Sequence, residues 1–251
     1  MVPIVLDSLV ADTITIFGHG SEQIEAYLAT PLGDGPFGGV VVIHHMPGWD
    51  RPTKEITRRF AAEGYNAICP NLYSREASDV GPDEAPAVVR AKGGVPDERV
   101  VGDVDGAIRH LKALSTSNGR VGVIGYCSGG RHSFLVACSL SLDAAVDCYG
   151  GFVVGEPPAD LPLKVRPIVH MAPQLSCPLL GLFGAEDQYP SPSQVSELEA
   201  ALRDAGKDFE FHVYEGAGHA FFAVDRPLYR PEVAKEAWAE VFEFFGRHLS
   251  G

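Results

Sequence analysis

Positive charge is scarce in this chain: 20 Lys and Arg stand against 33 Asp and Glu in 251 residues, a formal net charge of -13. Nucleic acid and an anionic membrane surface are therefore poor partners, although one local Arg can still hold a small anion. No apolar run approaches the roughly 18 residues that a membrane span needs. The first residues, Met1 to Asp7, carry neither a basic region nor a cleavage site, so no secretory leader is expected. The five cysteines (69, 127, 138, 148 and 177) are odd in number and form no CxxC pair, which reads as free thiols in a reducing, cytoplasmic setting. No GxxxxGK[ST] loop is present. His44 and His45 are adjacent, so they diverge from a strand, and no HxxxH, HExxH or paired Cys supports a metal site.

What is present has the composition of an ordinary globular protein, 45% hydrophobic, and the length of one large α/β domain over residues 1–251. Thr13–Phe17 and Gln23–Ala29 read as an N-terminal antiparallel hairpin. Val40–Ile43 is an unbroken β-branched run, the mark of a strand buried on both faces. Further strands are expected at 67–69, 121–124, 144–148, 178–183 and 209–214. Helices are expected over 53–64, 103–114, 195–205 and 231–245, with another beginning at Phe134. Two stretches, 74–97 and 152–176, are rich in Gly and Pro and irregular, with a short helix expected at 85–92. Long excursions of this kind are usually functional, so both are expected near the active site. Strands alternating with helices give a mostly parallel sheet with helices on both faces, and ligands at the carboxyl ends of its strands.

The chemistry gathers around Val121-Gly-Val-Ile-Gly-Tyr-Cys-Ser-Gly-Gly130. A nucleophile flanked by small residues between strand and helix is an elbow pattern, here with Cys127 where Ser is commoner. The following helix start favours thiolate over thiol. The simpler alternative is a buried structural Cys beside a glycine turn. Against it stand two further groups. Asp187 follows a strand in Gly184-Ala-Glu-Asp187, with Glu186 as its rival. His219 lies in the Gly-rich loop after the last strand. The order nucleophile, acid, His is that of α/β-hydrolases. The oxyanion hole is expected from the backbone N–H groups of Ser128 and Met46.

Gly125-Tyr-Cys-Ser-Gly-Gly130, Gly184-Ala-Glu-Asp187, Gly216-Ala-Gly-His-Ala-Phe221 and Cys69-Pro-Asn-Leu-Tyr73 resemble the dienelactone hydrolase (carboxymethylenebutenolidase) family, over roughly Val40 to Phe245. The resemblance implies an α/β-hydrolase fold and cleavage of a lactone or ester by Cys127, His219 and Asp187, with no cofactor or metal. The sequence also departs from the family. His45 stands where members carry a Glu near the nucleophile. Phe222-Ala223-Val224 occupies the neighbourhood of a substrate-binding arginine, and the first Arg there is Arg226. Arg90 is the nearest match to a second such arginine. Without the Glu, a standing thiolate–imidazolium pair is expected, since a nearby carboxylate would raise the thiol pKa.

The sequence therefore reads as a cytoplasmic cysteine hydrolase of small esters or lactones, working through a thioester as a monomer or a dimer. His45, Trp49, Tyr126 and Arg90 are expected to line its substrate pocket. A thioesterase, or a ligand-binding protein on a hydrolase scaffold, is the alternative.

Overall fold

A computed structural model describes residues 9–81 and 83–251. The N-terminal segment Met1–Asp7 lies outside the described residues. Eight strands form one sheet: β1 (Leu9–Phe17), β2 (Gln23–Pro31), β3 (Phe37–Ile43), β4 (Asn66–Pro70), β5 (Ser117–Tyr126), β6 (Ala144–Cys148), β7 (Leu179–Gly184) and β8 (Phe209–Tyr214). Their spatial order is β1-β2-β4-β3-β5-β6-β7-β8. β2 pairs antiparallel with β1 and β4, and every other neighbouring pair is parallel.

Side-chain alternation explains why β3 sits at the centre. Val40 and Val42 enter one core, while Val41 and Ile43 enter the other, and all four are fully buried. β-branched residues on both faces suit such a strand. One face is covered by α3 (Asp97–Ala113), α4 (Ser128–Ser139) and α5 (Pro192–Asp204), with the short α2 (Ala85–Lys92) at its edge. The other is covered by α1 (Arg51–Ala62) and α6 (Pro231–Leu249), whose Phe60, Trp238, Val241 and Phe245 pack together.

The helix starts differ most from the sequence expectation. α1 begins at Arg51 because the Asp50 carboxylate caps it, accepting from the Thr53 N–H at 3.0 Å. α3 begins at Asp97, right after Pro96, with Asp97 and Glu98 in its first turn. α4 begins at Ser128 instead of Phe134. Gly129 and Gly130 are poor helix formers in isolation, and packing overrides that weakness here.

Candidate active site

Cys127 joins β5 to α4 with φ 57° and ψ -118°, a backbone conformation that costs energy for any residue with a side chain. Its neighbours show why it persists. A Cβ on Gly125 would lie 1.9 Å from the Gly129 carbonyl oxygen, and one on Gly129 would lie 2.3 Å from that of Ile43. Only glycine allows β3, β5 and α4 to meet this closely. The Cys127 N–H donates to the Cys148 carbonyl at 3.0 Å, which ties the turn to β6. The nucleophile candidate therefore stands at the N-terminus of α4, at the carboxyl end of the central strands.

Two loops bring partners to it. Asp187 follows β7 and is buried. Its Oδ2 lies 2.8 Å from Nδ1 of His219, while Oδ1 accepts from the Tyr189 N–H at 2.9 Å. Glu186 next to it is exposed, so geometry favours Asp187 as the partner of the imidazole. His219 in turn lies beside Cys127, and both open onto one cavity. Burial alone would raise the Cys127 pKa. His219 and the backbone N–H groups of Ser128 and Met46 outweigh it and hold the thiol below its ordinary value. Burial likewise opposes a charged imidazole, but Asp187 and Cys127 together push the His219 pKa up to about 10.

The loop carrying Met46 is held by its histidines. The His44 ring is buried. Its Nε2 accepts from the Leu72 N–H at 3.2 Å, which leaves Nδ1 to donate to the His45 carbonyl at 2.9 Å. The Gly48 N–H donates to the same carbonyl, also at 2.9 Å. That carbonyl belongs to the peptide unit whose other end is the Met46 N–H. Burial lowers the His44 pKa to about 4, so the ring is neutral in this arrangement. The Tyr73 hydroxyl secures the next peptide by donating to the Met46 carbonyl at 2.9 Å.

Cys127, Met46 and His219 open onto a cavity of about 550 Å³. Both irregular stretches line it, the first with Val89, Arg90 and Val95, the second with Leu161, Leu163 and Val165. Arg131 on α4, also in its wall, is almost fully buried. Its guanidinium makes two hydrogen bonds to the Asp97 carboxylate, at 2.7 and 2.9 Å, and one to the Arg166 carbonyl at 2.9 Å. It thus pins the end of one irregular stretch and the middle of the other.

A model of the dienelactone hydrolase family matches residues 24–249, nearly the whole chain. The chain belongs to the dienelactone hydrolase family. The match extends past both ends of the span that the motifs alone suggested, taking in β2 and all of α6. Proteins from Escherichia coli and Methylorubrum extorquens, each described as "Putative carboxymethylenebutenolidase", are both 35% identical to it. The first alignment covers 96% of this chain and 89% of the relative, the second 90% and 77%. A crystal structure described as "Putative Dienelactone Hydrolase", from Klebsiella pneumoniae, superposes with a TM-score of 0.86 at 33% identity, covering 96% of this chain and all of that one. The protein is a hydrolase of this family, with its α/β-hydrolase fold.

Three residues expected to line the pocket of this family member do not reach the cavity at Cys127. Trp49 packs half-buried elsewhere: its indole N–H donates to the Cys69 carbonyl at 2.9 Å, and the Lys54 ammonium sits 3.6 Å from its ring centre. Tyr126 ends β5 with its side chain buried among the residues that pack on α6. His45 is turned away by Asp50, whose Oδ2 lies 2.6 Å from its Nε2. His45 and Tyr126 line a separate, smaller cavity that shares no residue with the one at Cys127. Arg90 does reach the main cavity, whereas Arg226 lines only a shallow cleft beside it. Among the described residues no cluster of three or more potential metal ligands occurs. Sequence reasoning missed Tyr73, Tyr149 and Arg131. The signal for Tyr149 was present in Tyr149-Gly-Gly151 after a strand, and its ring packs edge-on to His219 at 5.1 Å. An arginine within the apolar run of α4 was the signal for Arg131.

Proposed function

We propose that this family member hydrolyses small carboxylic esters or lactones through a thioester on Cys127. The observation that carries this reading is the Asp187–His219 hydrogen bond beside a Cys127 whose pKa is lowered by His219 and by the Met46 and Ser128 N–H groups. The Cys127 thiolate attacks the carbonyl carbon and an S–C bond forms. The negative charge moves to the carbonyl oxygen, which the two N–H groups receive. As the intermediate collapses, the C–O bond breaks, and the His219 imidazolium gives its proton to the leaving alkoxide. In a lactone that alkoxide stays attached to the acyl group. Neutral His219 then takes a proton from water, the hydroxide adds to the thioester, and the thiolate departs. Asp187 orients the ring and stabilises its charged form throughout.

The walls contributed by Val89, Val95, Leu161, Leu163 and Val165 are apolar, and Arg90 is the one basic side chain that the first irregular stretch adds to them. Neutral esters and lactones are therefore accepted alongside anionic ones in this reading. The direct test is rapid quench with a slowly hydrolysed ester, followed by intact-mass analysis. An acyl adduct that maps to Cys127 and is lost in Cys127→Ala supports the mechanism. Full activity in Cys127→Ala overturns it.

A further inference from the structure

The smaller cavity, about 370 Å³ in volume, shares no lining residue with the cavity that opens on Cys127. Its inner walls are aromatic, formed by Tyr126, Phe222 and Trp238. The Tyr126 and Phe222 rings meet edge to face at 5.5 Å, and those of Phe222 and Trp238 at 5.3 Å. Two polar groups on the aromatic side of this lining lack partners. The Tyr126 hydroxyl is buried and has no hydrogen bond among the described residues. The Arg59 guanidinium lies 4.1 Å from the Trp238 ring centre, and no described residue gives it a hydrogen bond or ion pair.

The other ionisable side chains at this cavity are His45, Arg51, Glu55 and Asp225, of which Arg51 and Asp225 are exposed and have no partner among the described residues. His45 is engaged by Asp50, and Glu55 lies 3.7 Å from Arg58. On the aromatic side the open polar groups are thus both donors. A guanidinium stacked on an indole keeps its N–H edge free, and that edge matches the two oxygens of a carboxylate. A buried hydroxyl without a partner is costly, so a ligand oxygen that reaches it gains more than it would at the surface. Burial also pushes the Tyr126 pKa well up, which keeps the group an O–H donor.

We propose that this cavity is a second ligand site, which binds a small monocarboxylate with an aromatic body. The carboxylate sits between the Arg59 guanidinium and the Tyr126 hydroxyl, and the ring lies against Phe222 and Trp238. The site is independent of the chemistry at Cys127, although Tyr149 lines it and also touches His219.

Titration of benzoate into the full chain, with labelled Ile, Leu and Val methyl groups followed by NMR, tests this. Ile56 and Val224 line the proposed site, while Leu161 and Leu163 line the other cavity. Saturable shifts at Ile56 and Val224 are expected, with affinity about tenfold weaker in Arg59→Met and in the isosteric Tyr126→Phe. Benzamide, which has the same shape without the charge, binds at least about tenfold more weakly if the guanidinium is the anchor. Shifts confined to Leu161 and Leu163, or an affinity unchanged in both variants, overturn the proposal. Because binding is read directly, a different nucleophile at the active site would leave this result intact.

Discussion

At the scale of single residues, Cys127 is held between burial, which favours the neutral thiol, and His219 with two N–H groups, which favour the thiolate. The second influence prevails. The thiolate persists down to the lowered Cys127 pKa, and the imidazolium persists up to about pH 10. Both shifts act in the direction of a thiolate–imidazolium pair in the free protein. Alkylation of Cys127 by iodoacetamide is expected to stay fast from pH 8 to below about 6.5 and to fall only in stronger acid. A single rise near the ordinary thiol value of about 8.5 would contradict a standing pair. Asp187→Asn is expected to lower kcat by roughly 10²–10⁴-fold through loss of imidazole orientation, while Glu186→Gln changes little. The reverse pattern in steady-state kinetics would move the acid to Glu186.

At the scale of elements, the loop between β3 and α1 is a hydrogen-bond relay. The Leu72 N–H feeds the His44 ring, the ring feeds the His45 carbonyl, and that peptide ends in the Met46 N–H. Donors in series polarise one another, so the relay fixes and strengthens the Met46 N–H, the proposed oxyanion donor. His44→Phe is expected to reduce kcat by about tenfold or more with KM nearly preserved, measured where circular dichroism shows the variant folded. A change in KM alone would place His44 in binding instead. This relay was not legible in the sequence, because adjacent histidines say nothing about which way each ring turns. The strands were legible, since burial on both faces leaves an unbroken apolar run such as Val40–Ile43. The short helix over Ala85–Lys92 and the last strand over Phe209–Tyr214 were expected at the bounds they have. The start of α4 was not, because Gly129-Gly130 opposes a helix locally and close packing on β3, β5 and β6 compensates. The three catalytic candidates were found from chain order and small neighbours, both of which are local signals. The direction of Trp49 and Tyr126 depends on which face of the sheet each meets, and no local signal records that.

At the scale of the whole molecule, stability should carry the mark of Asp147, fully buried in β6. Burial pushes its pKa up to about 7 from an ordinary 3.8, although the Gly150 N–H donates to it at 2.7 Å and pulls the other way. In this case the folded state holds the proton more tightly than the unfolded chain. Stability is therefore lost as pH rises from about 4 through 7, and the loss is constant above that. Asp147→Asn cannot ionise. Its urea midpoint relative to the wild type is expected to improve between pH 5 and pH 8, and a difference independent of pH would show that Asp147 titrates normally. The same central region holds Arg131, whose one guanidinium grips both Asp97 and the Arg166 carbonyl. Both stretches that wall the cavity are thereby tied to one side chain, so a change at Arg131 would shift the two walls together.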